Sequence, residues 1–237
     1  MKKLLLIFFL SIPFIILSSG TVGKETDSTA VMHTEKSVFS QMPDSVELPS
    51  LQVLETALAG YEILYQEQSI IRPGLITIID FSLPSDKERL WVLDLINGKV
   101  LFHCLVSHGR NSGGLMAENF SNIPGSYASS PGFYSTGETY IGKNGLSLIL
   151  DGLEAGINDK ARERAIVMHG AGYVSTEYIR EYGRLGRSYG CPAVPEKMSR
   201  EIIQSIMGGS CLFIYAPQAS YTSNSNIISK IISATKG

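Results

Sequence analysis

Asn97-Gly98 lies between Leu90-Trp-Val-Leu-Asp-Leu95 and Lys99-Val-Leu-Phe-His-Cys-Leu-Val-Ser107, and it constrains the fold more than any other feature of the chain. Asn-Gly accepts the positive backbone φ of a two-residue hairpin turn. The flanking apolar runs, rich in β-branched and aromatic residues, suit paired antiparallel strands. Ile76-Thr-Ile-Ile-Asp-Phe81 has the same character and is set off from 90–95 by a polar turn, which predicts a third strand. Further strands are expected at Phe133–Ile141, Leu146–Leu150, Ala165–Met168 and Leu212–Ala216. Leu51, Leu54, Leu58, Tyr61 and Leu64 recur at helical spacing and predict a core-facing amphipathic helix over 51–66. Ser175–Tyr182 reads as a short helix, and Glu196–Met207 as a longer one beginning after Pro195. This order of elements implies one α+β, β-rich domain over 51–216. Residues 108–132, crowded with Gly, Ser, Asn and Pro, form a long loop, a kind usually functional or disordered.

The chain ends read differently. Lys2 and Lys3 precede Leu4–Leu17, an apolar stretch broken only by Ser11 and Pro13, and Ser18-Ser-Gly20 follows. A charged start, an apolar middle and a small-residue end is the order of a secretory signal peptide. The stretch falls short of the roughly 20 residues of a spanning helix. Residues 1–20 are therefore expected to direct export to the periplasm or cell envelope and to be removed, leaving no membrane span in the mature chain. An uncleaved anchor is the competing reading. Residues 21–50 are rich in Ser, Thr, Lys, Glu and Pro without apolar periodicity and read as a flexible tether. Residues 217–237 read as a polar C-terminal tail. Lys plus Arg total 20 against 22 Asp plus Glu, with no long run of one sign, so neither a nucleic-acid footprint nor a polybasic membrane patch is indicated.

Export sharpens the meaning of the three cysteines, because an odd count outside the cytoplasm leaves at least one thiol unpaired. Cys104 and Cys211 lie in apolar strands, where Cys packs as a small hydrophobe; a Cys104–Cys211 disulfide is the alternative. Cys191 instead sits in Arg187-Ser-Tyr-Gly-Cys-Pro-Ala-Val194, the composition of a tight turn. A thiol is nucleophilic as thiolate, and its reference pKa near ~8.5 calls for a neighbouring base or cation. His169, in Val167-Met-His-Gly170, ends an apolar strand and precedes Gly170-Ala-Gly172, so its ring is expected to project into a cleft. Pro192 has no N–H, so oxyanion donors would come from Gly190, Cys191 or Tyr189. A lone His is more often structural and a lone Cys more often packing; the combination is what points to chemistry. His108-Gly-Arg-Asn111 follows a strand as His169-Gly does, and either lines the same cleft or is a solvated strand-end histidine. Arg180, Arg184 and Arg187 precede the turn and are candidates to pair with a carboxylate, against the plainer reading of solvated arginines. Ser129 and Ser130 read as loop residues. His33, His103, His108 and His169 lack paired-ligand spacing and loop 108–114 lacks a phosphate-binding Lys–Ser/Thr pair, so no metal or nucleotide cofactor is expected.

The segments His169-Gly170 and Ser188-Tyr-Gly-Cys-Pro-Ala-Val194 resemble the active-site signature of the L,D-transpeptidases of YkuD type, which cross-link peptidoglycan. Ser130-Pro-Gly-Phe-Tyr134 is similar to a segment found upstream in many members. The likeness covers roughly 75–216. Tyr189 stands where better-known members carry His, and Pro192-Ala193 where they carry an apolar residue and Arg or Asn, as in a distinct branch of the family. The resemblance implies a mixed β-sheet, sandwich- or barrel-like, with a few short peripheral helices. It implies Cys191 as nucleophile and His169 as base, the latter oriented by a backbone carbonyl. With the residues read above, the candidate oxyanion or substrate-binding residues are Ser188, Tyr189, Gly190, Gly170, Arg187 and His108. The implied partner is a peptidoglycan tetrapeptide stem, acylating Cys191 at the carbonyl of its third residue and passing to an amine as a 3→3 cross-link. A hydrolase that resolves the thioester with water is the nearest rival. A non-catalytic wall-binding module would need neither Cys191 nor His169, and a disulfide oxidoreductase lacks its Cys-x-x-Cys.

Overall fold

The computed structural model describes residues 47–234. The signal-peptide reading of 1–20 and most of the tether reading of 21–50 lie outside the described residues. The last residues assigned to the tether are attached to the domain: Trp91 Nε1 donates to Glu47 O at 2.9 Å, and Leu48 packs on the core. Helix α1 (Leu51–Gln66) follows, and the Ser50 hydroxyl caps it by accepting the Val53 N–H. Its buried stripe includes Leu54, Leu58, Tyr61 and Leu64, as the spacing predicts, whereas Leu51 is exposed. Gly60 lies on the buried side because a Cβ there would collide with the Phe133 ring.

Eight strands form one sheet: β1 (Leu75–Asp80), β2 (Leu90–Asp94), β3 (Lys99–Cys104), β4 (Gly132–Gly142), β5 (Gly145–Gly152), β6 (Val167–Ala171), β7 (Ala193–Pro195) and β8 (Cys211–Tyr215). Their order is β3-β2-β1-β8-β4-β5-β6-β7. The β1–β8 and β6–β7 pairs are parallel and the rest antiparallel, so the sheet is mixed. The turn joining β2 to β3 spans four residues, 95–98, rather than the two of Asn97-Gly98: Gly98 alone takes a positive φ (58°), and the Asp94 carboxylate closes the turn by accepting the Ile96 and Asn97 N–H groups. Strand β3 ends before Ser107 because the chain then crosses to the opposite edge, where Ser107 bridges Ala193 and Gly109 bridges Ser188. The sheet thereby comes close to closing as a barrel, the β-rich α+β architecture expected. The short strand β7 was not anticipated; three residues carry too little pattern to be read.

Both faces of the sheet are buried, and the strands alternate between them. Trp91 and Leu93 on β2, with Cys211 and Phe213 on β8, enter a core covered by α1 and by two C-terminal helices, α4 (Ala219–Asn224) and α5 (Asn226–Ala234). Leu90, Val92, Leu212 and Ile214 enter the other core, closed by Ile202, Ile203 and Ile206 of α3 (Glu196–Ile206). The fourth short helix, α2 (Thr176–Tyr182), is capped by Ser175 and ends at Gly183 with φ 70°.

Two expectations are corrected here. The segment after 216 is not simply a polar tail, because it folds into α4 and α5 and buries Tyr221, Ile227 and Ile228. Each fully buried Ile contributes about 1.5–3 kcal/mol, enough to hold a short helix down. Glu154 fastens this region: its Oε1 accepts the Phe133 N–H at 2.7 Å and the Tyr221 hydroxyl at 3.1 Å, and its Oε2 accepts the Ser225 hydroxyl. Cys104 and Cys211 are free, fully buried and on opposite faces of the sheet, which rules out a bridge between them. Among the described residues no helix is long and apolar enough to cross a membrane.

Candidate active site

The β6–β7 register sets His169 against Ala193. Cys191 lies two residues before β7, and the Val167 N–H of β6 reaches its Sγ at 3.5 Å. Val167 and His169, two apart on β6, share a face, and both line the same space as the thiol. That space is a cleft of about 740 Å³ whose walls include Cys191, His169, Arg164, Arg187, Ser188 and Tyr189. The thiol donates to Ala165 O at 3.7 Å, a carbonyl offered by a residue at φ 53°. His169 Nδ1 lies 2.9 Å from Gly170 O. A carbonyl only accepts, so Nδ1 carries the proton and Nε2 is left with its lone pair. Burial lowers the His169 pKa below 6.5, against the Gly170 hydrogen bond, with Lys143 adding to the fall. Burial pushes the Cys191 thiol above 9.0, opposed by the Val167 N–H and by the charges of Arg164 and Lys143. At rest the pair is therefore neutral thiol and neutral imidazole.

The turn that carries Cys191 is built by hydrogen bonds. Ser188 Oγ donates to Cys191 O at 2.6 Å and accepts the Gly190 N–H at 3.1 Å. Gly190, at φ +121°, has Ala128 O and Ile166 Cδ1 at 2.8 and 2.9 Å from where a Cβ would stand, so only glycine fits. The crossing segment after β3 clamps the turn from outside. Ser188 N–H donates to His108 O at 3.0 Å, Arg110 N–H to Ser188 O at 2.8 Å, and Ser107 N–H to Ala193 O at 2.8 Å. Ser129, read as a plain loop residue, ties the two together: its Oγ accepts the Gly109 N–H at 3.0 Å and donates to Gly190 O at 3.1 Å.

Of the candidate residues, the structure brings Cys191, His169, Ser188, Tyr189 and Arg187 to the cleft wall, with Gly190 and Gly170 immediately behind it. Gly170 serves through its carbonyl. Gly190 is corrected as an oxyanion donor because its N–H is spent on Ser188 Oγ. The Tyr189 N–H has no partner among the described residues, and the Cys191 N–H adjoins its own Sγ. His108 is also corrected: it does not line the cleft. It is 1% exposed, with Nδ1 accepting from Arg89 Nη2 at 2.8 Å and Nε2 facing Gly113 O at 3.4 Å. The crossing of the chain, which a local His-Gly pattern does not reveal, decides its burial. Of the arginines, Arg184 and Arg187 reach the cleft, while Arg180 is exposed and pairs with Glu177.

Several groups at the site carry no motif. Arg164 sits beside Cys191 and pins loop 121–130 through Ser121 O, Ser130 Oγ, Ser126 Oγ and Ala128 O, at 2.6 to 3.2 Å. Lys143 comes from the turn between β4 and β5. Five tyrosines, at 127, 140, 173, 178 and 189, line the cleft; Tyr127 and Tyr189 pack with ring centroids 4.7 Å apart. Among the described residues no group of three or more His, Cys, Asp or Glu is placed to hold a metal ion.

The family model of the L,D-transpeptidase catalytic domain matches residues 46–215, and the chain belongs to that family. The chain is similar to the L,D-transpeptidase (Yku) of Stackebrandtia nassauensis at 16% identity, with 81% of this chain and 79% of that chain covered and a TM-score of 0.36. It is also similar to an L,D-transpeptidase from Mycobacterium tuberculosis H37Rv, at 12% identity over 61% of this chain and 58% of that one, TM-score 0.40. A third, from Mycobacterium smegmatis, is 10% identical over 60% and 59%, TM-score 0.38. The chain spans about three-fifths of the length of these mycobacterial proteins. No curated protein matches it in sequence.

Proposed function

We propose that this protein is an exported L,D-transpeptidase acting on peptidoglycan, with Cys191 as nucleophile and His169 as general base. The observation that carries the reading is that the Cys191 thiol, which accepts the Val167 N–H of β6, and the His169 ring of the same strand line a single cleft. Cys191 Sγ attacks the carbonyl joining the third residue of a tetrapeptide stem to its terminal D-Ala. His169 Nε2, free because Nδ1 is held by Gly170 O, takes the thiol proton as the C–S bond forms. The tetrahedral oxyanion is met by the N–H groups of Tyr189 and Cys191. Collapse breaks the C–N bond, and the imidazolium returns its proton to the departing amine of D-Ala. A side-chain amine of a second stem then attacks the thioester, His169 accepts a proton from it, and the 3→3 amide forms as Cys191 leaves as thiol. Incubating the purified protein with defined tetrapeptide muropeptides and weighing the products tests this. A cross-linked dimer with loss of D-Ala, absent in Cys191→Ala, is expected. A tripeptide in place of the dimer replaces transfer by hydrolysis, and no product from either protein overturns the enzymatic reading.

A further inference from the structure

Five cations reach the cleft: Arg110, Lys143, Arg164, Arg184 and Arg187, and among the described residues no Asp or Glu lines it. Composition does not explain this, since the whole chain carries net charge −2. Outside the cleft, three cations have acidic partners: Arg162 binds Asp151 and Glu138, Arg180 binds Glu177 and Lys230 binds Glu67. Within the cleft, three arginines have donors committed to the fold. Arg164 spends both Nη groups on loop 121–130. Arg187 Nη1 donates to Arg110 O at 3.2 Å and Gly113 O at 2.9 Å, and Arg184 Nη1 to Leu185 O at 2.7 Å. The side chains of Lys143 and Arg110 make no hydrogen bond or ion pair among the described residues. Arg110 only rests over the Tyr189 ring, 5.9 Å from its centroid. Lys143 is exposed on the β4–β5 turn, on the His169 side, and its charge bears on both His169 and Cys191. Arg110 lies on the Tyr189 side.

Resting on the L,D-transpeptidase reading, we infer that the cleft selects acyl donors whose stems carry free carboxylates beside the scissile carbonyl over the same stems amidated there, and that Lys143 and Arg110 hold those carboxylates. A carboxylate and a carboxamide have nearly the same shape, so the walls discriminate by charge. One unit charge about 7 Å away in a water-like medium favours an anion about threefold, two about tenfold, and salt screens both.

Two measurements test the inference separately from the reaction. The first compares alkylation of Cys191 by iodoacetate and by iodoacetamide, each relative to its rate with free cysteine. Cys104 and Cys211 are buried and do not compete. The normalised iodoacetate-to-iodoacetamide ratio is expected to be about tenfold above one at low ionic strength and to collapse in 0.5 M salt. It should fall about threefold in Lys143→Met, but not in Lys99→Met, which removes an exposed charge that does not line the cleft. The second compares a tetrapeptide donor with its carboxamide counterpart, where the carboxylate form is expected to have the lower KM and Lys143→Met to narrow the gap. A ratio near one, or one unchanged by Lys143→Met, overturns the inference. Equal turnover of the two donors overturns it too, and leaves the transpeptidase reading standing. Anion preference at Cys191 with turnover of neither donor leaves the anion-selective cleft standing and overturns the transpeptidase reading.

Discussion

Acidification from pH 7 to pH 4 forces a proton toward His108, which has no place for it. The ring is 1% exposed, stands edge-on to Phe81, and accepts a hydrogen bond from Arg89 Nη2 at 2.8 Å. Protonation would set an N–H against that guanidinium, with Arg187 as a second cation nearby. Burial first, and then the Arg89 charge, bring its pKa from 6.5 down to about 4. A histidine with a depressed folded pKa contributes stability that is complete above the unfolded value and lost as pH falls toward the folded one. The fall from 6.5 to about 4, at about 1.4 kcal/mol per pH unit, makes that loss about 3 kcal/mol between pH 7 and pH 4. Other groups titrate in the same window, so the measurement is a difference. Urea unfolding, followed by fluorescence of Trp91, the single tryptophan, is run at pH 7, 6, 5 and 4 on the wild type and on His108→Gln. The amide oxygen of Gln accepts from Arg89 and does not titrate. His108→Gln is expected to be the less stable protein at pH 7 and to lose about 3 kcal/mol less on acidification. Parallel losses in the two proteins would refute the buried neutral histidine. Because His108 O accepts the Ser188 N–H, the Cys191 turn should loosen over the same range.

The thiol–imidazole pair predicts a pH profile for acylation of Cys191 by the tetrapeptide donor, read by intact mass. The rate should rise through a midpoint below 6.5 as His169 loses its proton, then climb again above 9.0 as the thiol ionises. His169→Ala should retain only the second rise, and a profile identical to wild type would assign the base elsewhere. Gly60→Ala should cost about 1–3 kcal/mol in urea unfolding, since the new Cβ meets the buried Phe133 ring and outweighs the helical gain of about 1 kcal/mol from alanine. An unchanged or raised midpoint would show that Phe133 can yield. Glu154→Ala strands the Phe133 N–H and the Tyr221 and Ser225 hydroxyls, at about 1–3 kcal/mol for each group left buried. Hydrogen exchange should then quicken first across α4 and α5; uniform quickening of the whole domain would contradict a local clasp.

What could be read before the fold was known divides along the range of the interaction. Asn97-Gly98, the α1 stripe and Ser188-Tyr-Gly-Cys191 are local: the turn composition and the helical period depend on neighbours in sequence, and these are legible. Helix α5 was local too. Ile227, Ile228, Ile231 and Ile232 recur at helical spacing, but the Ser- and Thr-rich residues around them mask the stripe. His108 and His169 show the limit most clearly, because in the sequence each comes at the end of an apolar run and precedes a glycine. One faces a cleft and the other is sealed beside Arg89, and the difference lies in which strand edge the chain meets next. Arg110, Lys143 and Arg164 come from three separate connections, yet all line the cleft that holds Cys191. No spacing announces such a set, because the mixed sheet order brings it together. The nucleophile is therefore written in a short stretch of chain, and the charge of its cleft only in the topology.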